Sequence, residues 1–408
     1  MKWTEKYSKR MERVAPSAIM EILKVVTQSQ FINFASGLPD AELFPLEELQ
    51  KLCNEVFQEE GKIALQYSAA EGYPALRSFI AERLTRQGER TSADNVLITH
   101  GSQQGLDLAA RILLDPGDKI IIENPSYLAG LQIFDSYQAE YLPVSMDGEG
   151  MIVDQVEELL KTQTPKMIYT LPNFQNPTGI TLSLNRREKL VALAERYNVP
   201  ILEDNAYGDL RYEGDSLPSL RAFKGGHVVI STGTFSKTIA PGIRVGWIAA
   251  EKELMDRIAQ VKQITDLHTN TFWQRVVYRY CINGQLEPQI QRLCKAYKKK
   301  RDILLQCLEH YFPREVSWTH PEGGMFLLLT LPDSLHAEDL LKVAMEEKKV
   351  AFVPGRTFFP RGDGHNTLRL NFVSPKPEEI EEGVQRLAEI IRSSWTFEGG
   401  FHKGLFGV

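Results

Sequence analysis

The sequence predicts an α/β protein: a large domain whose seven-stranded, mainly parallel sheet is covered by helices, followed by a smaller α+β domain. Three observations predict it. From about residue 96, short runs rich in β-branched residues alternate with stretches whose apolar residues recur at three and four positions. The last two runs of that series are joined by a link too short, and too rich in Pro, Gly and hydroxyl residues, to hold a crossover helix. At 408 residues the chain is also long enough for two cores.

The elements follow in order. An arm, 1–45, precedes the sheet and is expected to pack on the small domain or on a partner subunit. The large domain is placed at 46–295. Its strand candidates are "NVLITHG", "DKIIIENP", "AEYLPVSM", "PKMIYTLPN", "VPILEDNAY", "HVVISTGT" and "IRVGWIAA". Between most of them lie helical patterns such as "SQQGLDLAARILL" and "LNRREKLVALAERYN". The helices put the first six strands parallel, whereas the link "TGTFSKTIAPGI" predicts that the seventh runs antiparallel. A long helical stretch, about 252–310, leads into the small domain, placed at 296–392, with "GGMFLLLTL", "VAFVPG" and "TLRLNFV" as strands. The glycine- and aromatic-rich end, 393–408, is read as a tail without assigned function.

Composition narrows the function classes. Hydrophobic content of 43% and charged content of 25% suit a globular protein, and a net charge of −6 gives no basic face for nucleic acid. Cys53, Cys281, Cys294 and Cys307 are scattered without ligand spacing, and the histidines form no HExxH, so neither disulfides nor zinc is expected. The N-terminus has no uncharged apolar stretch of signal-peptide length, and no apolar run approaches the roughly 20 residues that cross a bilayer. A cytoplasmic protein is the expectation.

The chemistry gathers at one edge. In a parallel sheet, ligands bind beyond the carboxyl ends of the strands. Beyond the first strand stand Gly101, Ser102 and Gln103, opening a helix; beyond the second, Tyr127; beyond the fourth, Asn173 and Asn176. The fifth ends in Asp204 and Tyr207, and the sixth in Thr234, Ser236 and Lys237, with Arg244 returning along the seventh. Singly, each has a plain reading: a helix cap, a turn, a packing tyrosine, a surface lysine. Together they suit an aromatic aldehyde that carries a phosphate. The helix N-terminus offers unpaired N–H groups to the phosphate, joined by Ser102, Gln103, Thr234, Ser236 and the guanidinium of Arg244. Asp204 would hold a proton on a ring nitrogen, Asn176 and Tyr207 would donate to a ring oxygen, and Tyr127 would stack on the ring. A desolvated Lys237 among cations exposes its lone pair and would bond the aldehyde. The cofactor that fits is pyridoxal 5′-phosphate.

From "FASGLPDAELFP" to "TLRLNFVSP" the chain resembles the class I/II pyridoxal-phosphate aminotransferases of fold type I. The specific pieces are "NPTG", "EDNAYGDL" and "GTFSKTIAPGIRVGW", in that order. The resemblance implies that Lys237 bonds the cofactor and moves the substrate's proton, with the other groups as just assigned. It further implies that Arg369 in "TLRLNF" grips the substrate carboxylate, that Gly37 lets backbone approach the substrate, and that Tyr67 reaches the phosphate of a neighbouring subunit, hence a homodimer with shared sites. "GLPDAELFP", "GSQQ" and "APSAIMEILK" look most like the 2-aminoadipate and kynurenine aminotransferase branch. Members that accept a distal carboxylate tend to carry arginine in an N-terminal "S-x-I-R"; here that position is Met20, which favours neutral, aliphatic or aromatic donors. Two alternatives stay open at this point: a β-lyase or decarboxylase on the same scaffold, and the effector-sensing domain of a transcriptional regulator.

Overall fold

The structure is a computed structural model that describes residues 1–14, 16, 18–26 and 31–398. Its strands, in chain order, are β1 (Ile32–Asn33), β2 (Val96–Thr99), β3 (Lys119–Asn124), β4 (Glu140–Asp147), β5 (Gly150–Met151), β6 (Met167–Thr170), β7 (Ile201–Asn205), β8 (Val229–Thr234), β9 (Gly246–Ala249), β10 (Ser317–Trp318), β11 (Phe326–Thr330), β12 (Val350–Ala351), β13 (Val353–Pro354) and β14 (Thr367–Asn371).

The large sheet runs β2-β9-β8-β7-β6-β3-β4-β5. Seven of these are the strands the sequence predicts; the eighth, two-residue β5, folds back antiparallel on β4 and is too short to leave a periodic signal. Pairs β3/β4, β3/β6, β6/β7 and β7/β8 are parallel. Strand β9 is antiparallel to both its neighbours, β8 and β2, as the short link requires. That link holds only a 3-10 turn, Pro241–Ile243, and so reverses the chain without a crossover. Every residue of β2, β6, β8 and β9 is buried, because helices cover both faces. Helices Gly101–Leu113, Leu128–Ser136 and Lys252–Asp266 contribute to one apolar layer, and Val153–Thr162 and Leu184–Tyr197 to the other.

The second sheet, β10-β11-β14-β13, is antiparallel throughout. It shares its core with helices Leu286–Tyr311, Ala337–Glu347 and Pro377–Glu398. Helix Leu286–Tyr311 runs unbroken through 295/296, where the sequence suggested a boundary. The arm divides. Strand β1 pairs in parallel with β12, and Phe34 O accepts from Asn371 N, so this part is bound to the C-terminal region. Arg13, by contrast, donates to Ala139 O at 2.9 Å, beside the large sheet. The last helix extends to Glu398, into the segment read as tail; 399–408 lie outside the described residues, as do positions 15 and 17 of "APSAIMEILK".

Candidate active site

Lys237 lies just beyond β8, and its Nζ donates to Gly37 O at 3.1 Å and stands 5.7 Å from the centre of the Tyr207 ring. Burial lowers its pKa to about 8, helped by the positive charges of Arg369 and Arg244 and opposed by Asp204. A lysine so placed is about one-tenth neutral at pH 7 and about half neutral at pH 8, far more than an ordinary surface lysine.

Asp204 sits on β7, paired in register with Thr232 of β8, and is 1% exposed. Tyr169 Oη donates to its Oδ2 at 3.1 Å and Thr232 Oγ1 to its Oδ1 at 3.2 Å. Burial raises its carboxyl to about 6; the two hydroxyls and Lys237 hold it from rising further. Tyr127 caps helix Leu128–Ser136, and its phenol is pushed up to about 12 by burial and then by Asp204. Tyr207 is buried edge-on to Phe326, and burial raises its phenol as well.

Arg369, on β14, is 1% exposed. Its guanidinium carbon lies 4.3 Å from the Phe326 ring and 5.2 Å from the Phe358 ring. Nη1 donates to Asn176 Oδ1 at 3.0 Å and Nη2 to Ala35 O at 2.7 Å, while Nε is buried without a partner. Burial lowers its pKa to about 10, yet it stays protonated across the working range. A buried cation with a spare donor is what a substrate carboxylate needs.

The third group is a cup of donors. Thr234 Oγ1 donates to Ser236 Oγ at 2.8 Å, and Ser236 N to Thr234 Oγ1 at 3.1 Å. Arg244 reaches Ser236 Oγ at 3.5 Å and His100 O at 3.0 Å. Next to it starts helix Gly101–Leu113, with Ser102 partly buried and Gln103 exposed in its first turn. Gly101 has φ +72°, and a Cβ there would fall 2.7 Å from Arg244 Nη2. Two hydroxyls, a guanidinium, a helix N-terminus and a glycine cradle make a fitting seat for a phosphate monoester.

Residues 29–387 match the family described as "Aminotransferase class I and II". The chain belongs to the class I and II aminotransferases. An aromatic-amino-acid aminotransferase of Thermococcus litoralis is 42% identical over 95% of this chain and 94% of its own length. A 2-aminoadipate transaminase of Thermus thermophilus is 40% identical over 96% and 98%. Among solved structures, the α-aminoadipate aminotransferase of Thermus thermophilus in complex with N-(5′-phosphopyridoxyl)-L-leucine superposes with a TM-score of 0.90 at 38% identity, covering 97% of this chain and all of that one.

The aminotransferase fold thus gathers Lys237, Asp204, Tyr127, Asn176, Tyr207, Arg369 and Gly37 into one cluster, with Ser102, Thr234, Ser236 and Arg244 beside it. Tyr67 stands apart on the surface, 77% exposed and edge-on to the His268 ring. Sequence reasoning missed Tyr169 and Thr232. A signal for the first was there: a phenol in "MIYT", a strand buried on both faces, needs a partner for its hydroxyl. It also left Asn173 open, and the structure gives it a scaffold task, bridging Arg187 and Asn205.

Proposed function

We propose that Lys237 bonds the aldehyde of pyridoxal 5′-phosphate and carries the substrate's α-proton, in an enzyme that moves an amino group from an L-amino acid to a 2-oxo acid such as 2-oxoglutarate. Amino transfer between amino and oxo acids and the B6 cofactor are those of the family. The observation that carries the site assignment is the meeting of Lys237, Asp204 and Arg369 within one electrostatic cluster, each perturbed by the others or by burial. When bound, pyridoxal phosphate supplies a ring that accepts the electron pair left by the departing α-proton.

The chain does the rest. Asp204, oriented by Tyr169 and Thr232, would face the ring N–H with a buried carboxylate. Asn176 spends its oxygen on Arg369, so its Nδ2 would be the group to donate to the ring oxygen, with Tyr207. Tyr127 would pack on the ring, and the cup of Ser102, Gln103, Thr234, Ser236 and Arg244 would hold the phosphate. Arg369 clamps the α-carboxylate, fixing the α-carbon against Lys237, whose pKa of about 8 suits an amine that takes a proton and returns it. A Cβ at Gly37 would meet only Phe326 Cζ, at 4.0 Å, so this backbone leaves room for substrate.

The same reading assigns residues 46–295 to cofactor binding, with the arm 1–45 packing with the small domain at 296–392. It also implies a cytoplasmic homodimer in which Tyr67 serves the partner's phosphate; among the described residues no helix is long and apolar enough to cross a membrane. The preferred donor is neutral, aliphatic or aromatic. Met20, on helix Ala18–Val26, is 55% exposed and offers a distal carboxylate no charge. The test is a panel of aliphatic, aromatic and acidic amino acids against 2-oxoglutarate and pyruvate, with Met20→Arg beside the parent and Lys237→Ala as the blank. Leucine- or phenylalanine-like donors should lead for the parent, aminoadipate should gain about tenfold in Met20→Arg, and the blank should show neither turnover nor visible cofactor absorbance. Turnover by Lys237→Ala would sink the assignment.

A further inference from the structure

Glu123 and Gln175 take no part in the steps above, yet both are almost wholly enclosed, 1% and 0% exposed. Glu123 is on β3 and accepts from Thr170 Oγ1 at 2.6 Å, from Leu171 N at 3.2 and 3.3 Å, and from Gln175 Nε2 at 3.0 Å. Gln175 links two loops. Its Nε2 also donates to Pro125 O at 2.9 Å, and its Oε1 accepts from Thr178 N at 3.0 Å and Thr178 Oγ1 at 2.8 Å. One loop leads to Tyr127; the other holds Asn176, the very next residue, whose Oδ1 accepts from Arg369.

We propose that Glu123, acting through Gln175, is a positioning residue that sets the place of Asn176 and thereby tunes both the donor offered to the cofactor's ring oxygen and the grip of Arg369 on the substrate carboxylate. The proposal rests on the roles given above to Asn176 and Arg369.

The hydrogen-bond pattern requires acceptors at position 123. Leu171 N–H and the Gln175 amide both point protons at it, as does the Thr170 hydroxyl. An amide in place of the carboxylate turns an NH₂ toward one of them. If Gln175 flips to accept that NH₂, its own NH₂ faces Thr178 N–H and its oxygen faces Pro125 O. With the NH₂ toward Gln175, either setting of that side chain leaves a donor against a donor or an oxygen against an oxygen; turned toward Thr170, the NH₂ reverses the hydroxyl's donation and faces Leu171 N–H, and the segment relieves the mismatch by moving. The segment that moves carries Asn176. As a source of stability alone the carboxylate is a poor choice, since burial pushes its pKa up to about 7.

The experiment compares the parent holoenzyme with Glu123→Gln, Thr178→Val and Asn176→Ala. Two readouts are taken: the pH midpoint of the bound cofactor's visible absorbance change, and kcat and KM for one amino donor. Glu123→Gln should move the midpoint by about half a pH unit or more, in the direction set by Asn176→Ala. It should raise KM by about fivefold while changing kcat less. Thr178→Val, which removes one donor from Gln175 and leaves Glu123 intact, should act in the same direction, and it decides the matter if Glu123→Gln does not fold. If Asn176→Ala moves both readouts while Glu123→Gln and Thr178→Val leave them at parental values, the positioning role is overturned and the site reading stands. If Asn176→Ala moves neither, the site reading falls and the proposal falls with it.

Discussion

Two adjacent carboxyls on β7 show how a single residue's environment decides its task. Asp204 and Glu203 point to opposite sides of the sheet, as neighbours in a strand must. Asp204 faces Lys237 and the hydroxyls of Tyr169 and Thr232, whereas both oxygens of Glu203 accept from Leu220 N, at 3.2 and 3.1 Å. Burial, then the charge of Glu89, raises Glu203 to about 7 from an ordinary 4.5. The folded protein therefore binds a proton here that the unfolded chain has already lost, so the stability from this site is complete below pH 4.5 and declines as pH rises toward 7. Glu203→Gln keeps an acceptor for Leu220 N and removes the titration. Between pH 5 and 8 the melting temperature of the cofactor-free variant should fall less than the parent's, by about 2–4 °C, as scanning calorimetry at the two pH values would register. An equal fall in both proteins would mean that Glu203 is ionised throughout. At this scale the sequence showed Asp204 but not its neighbours' duties. A carboxylate at a strand end is visible in one dimension, whereas the hydroxyls that hold it come from β6 and β8 and become its partners only through sheet register.

Elements explain why so much else was legible. Strands such as β2, β6, β8 and β9 leave apolar runs because both of their faces are covered, and the absence of room for a helix between β8 and β9 settles the direction of β9. What stayed hidden were pieces with no period: two-residue β5 and the pairing of β1 with β12 across more than three hundred residues of chain. Those depend on contacts that no local pattern encodes. The start of helix Gly101–Leu113 joins both kinds of information. "GSQQ" signals a helix opening, but only the fold shows that Gly101 must adopt φ +72° with Arg244 against it. Ala at this position adds a Cβ at 2.7 Å from Nη2 and strains the backbone as well. Arg244 would have to withdraw from the cup it shares with Ser236. Gly101→Ala should therefore weaken pyridoxal-phosphate binding by at least about tenfold, or about 1.4 kcal/mol, in an absorbance titration of the cofactor-free protein. Unchanged affinity would show that the phosphate does not depend on this corner.

For the whole molecule, the feature left over from a single chain is its surface. Phe57, Ile63, Leu65, Tyr67, Ile264 and Leu267 are each more than half exposed. Phe57 stacks near Phe272, and Tyr67 lies against His268, so part of this set gathers around the start of helix Thr271–Ile282. An apolar surface of this kind suits association of two copies. If Tyr67 of each chain completes the phosphate cup of the other, loss of Tyr67 and loss of Lys237 damage different sites within one dimer. Mixing two defective proteins tests this without any assumption about geometry. Tyr67→Ala should bind cofactor weakly, and Lys237→Ala should be inactive. In a mixed dimer, the chain that keeps Lys237 borrows an intact Tyr67 from its partner, so one site regains both groups and the other has neither. After unfolding, mixing and refolding in equal amounts, about half of the dimers are mixed by random pairing, so half of the Lys237 sites recover a phosphate contact worth about tenfold each, and activity at limiting cofactor should exceed the sum of the two parents' activities by about fivefold. Activity that merely adds would place Tyr67 in service to its own chain, or to neither.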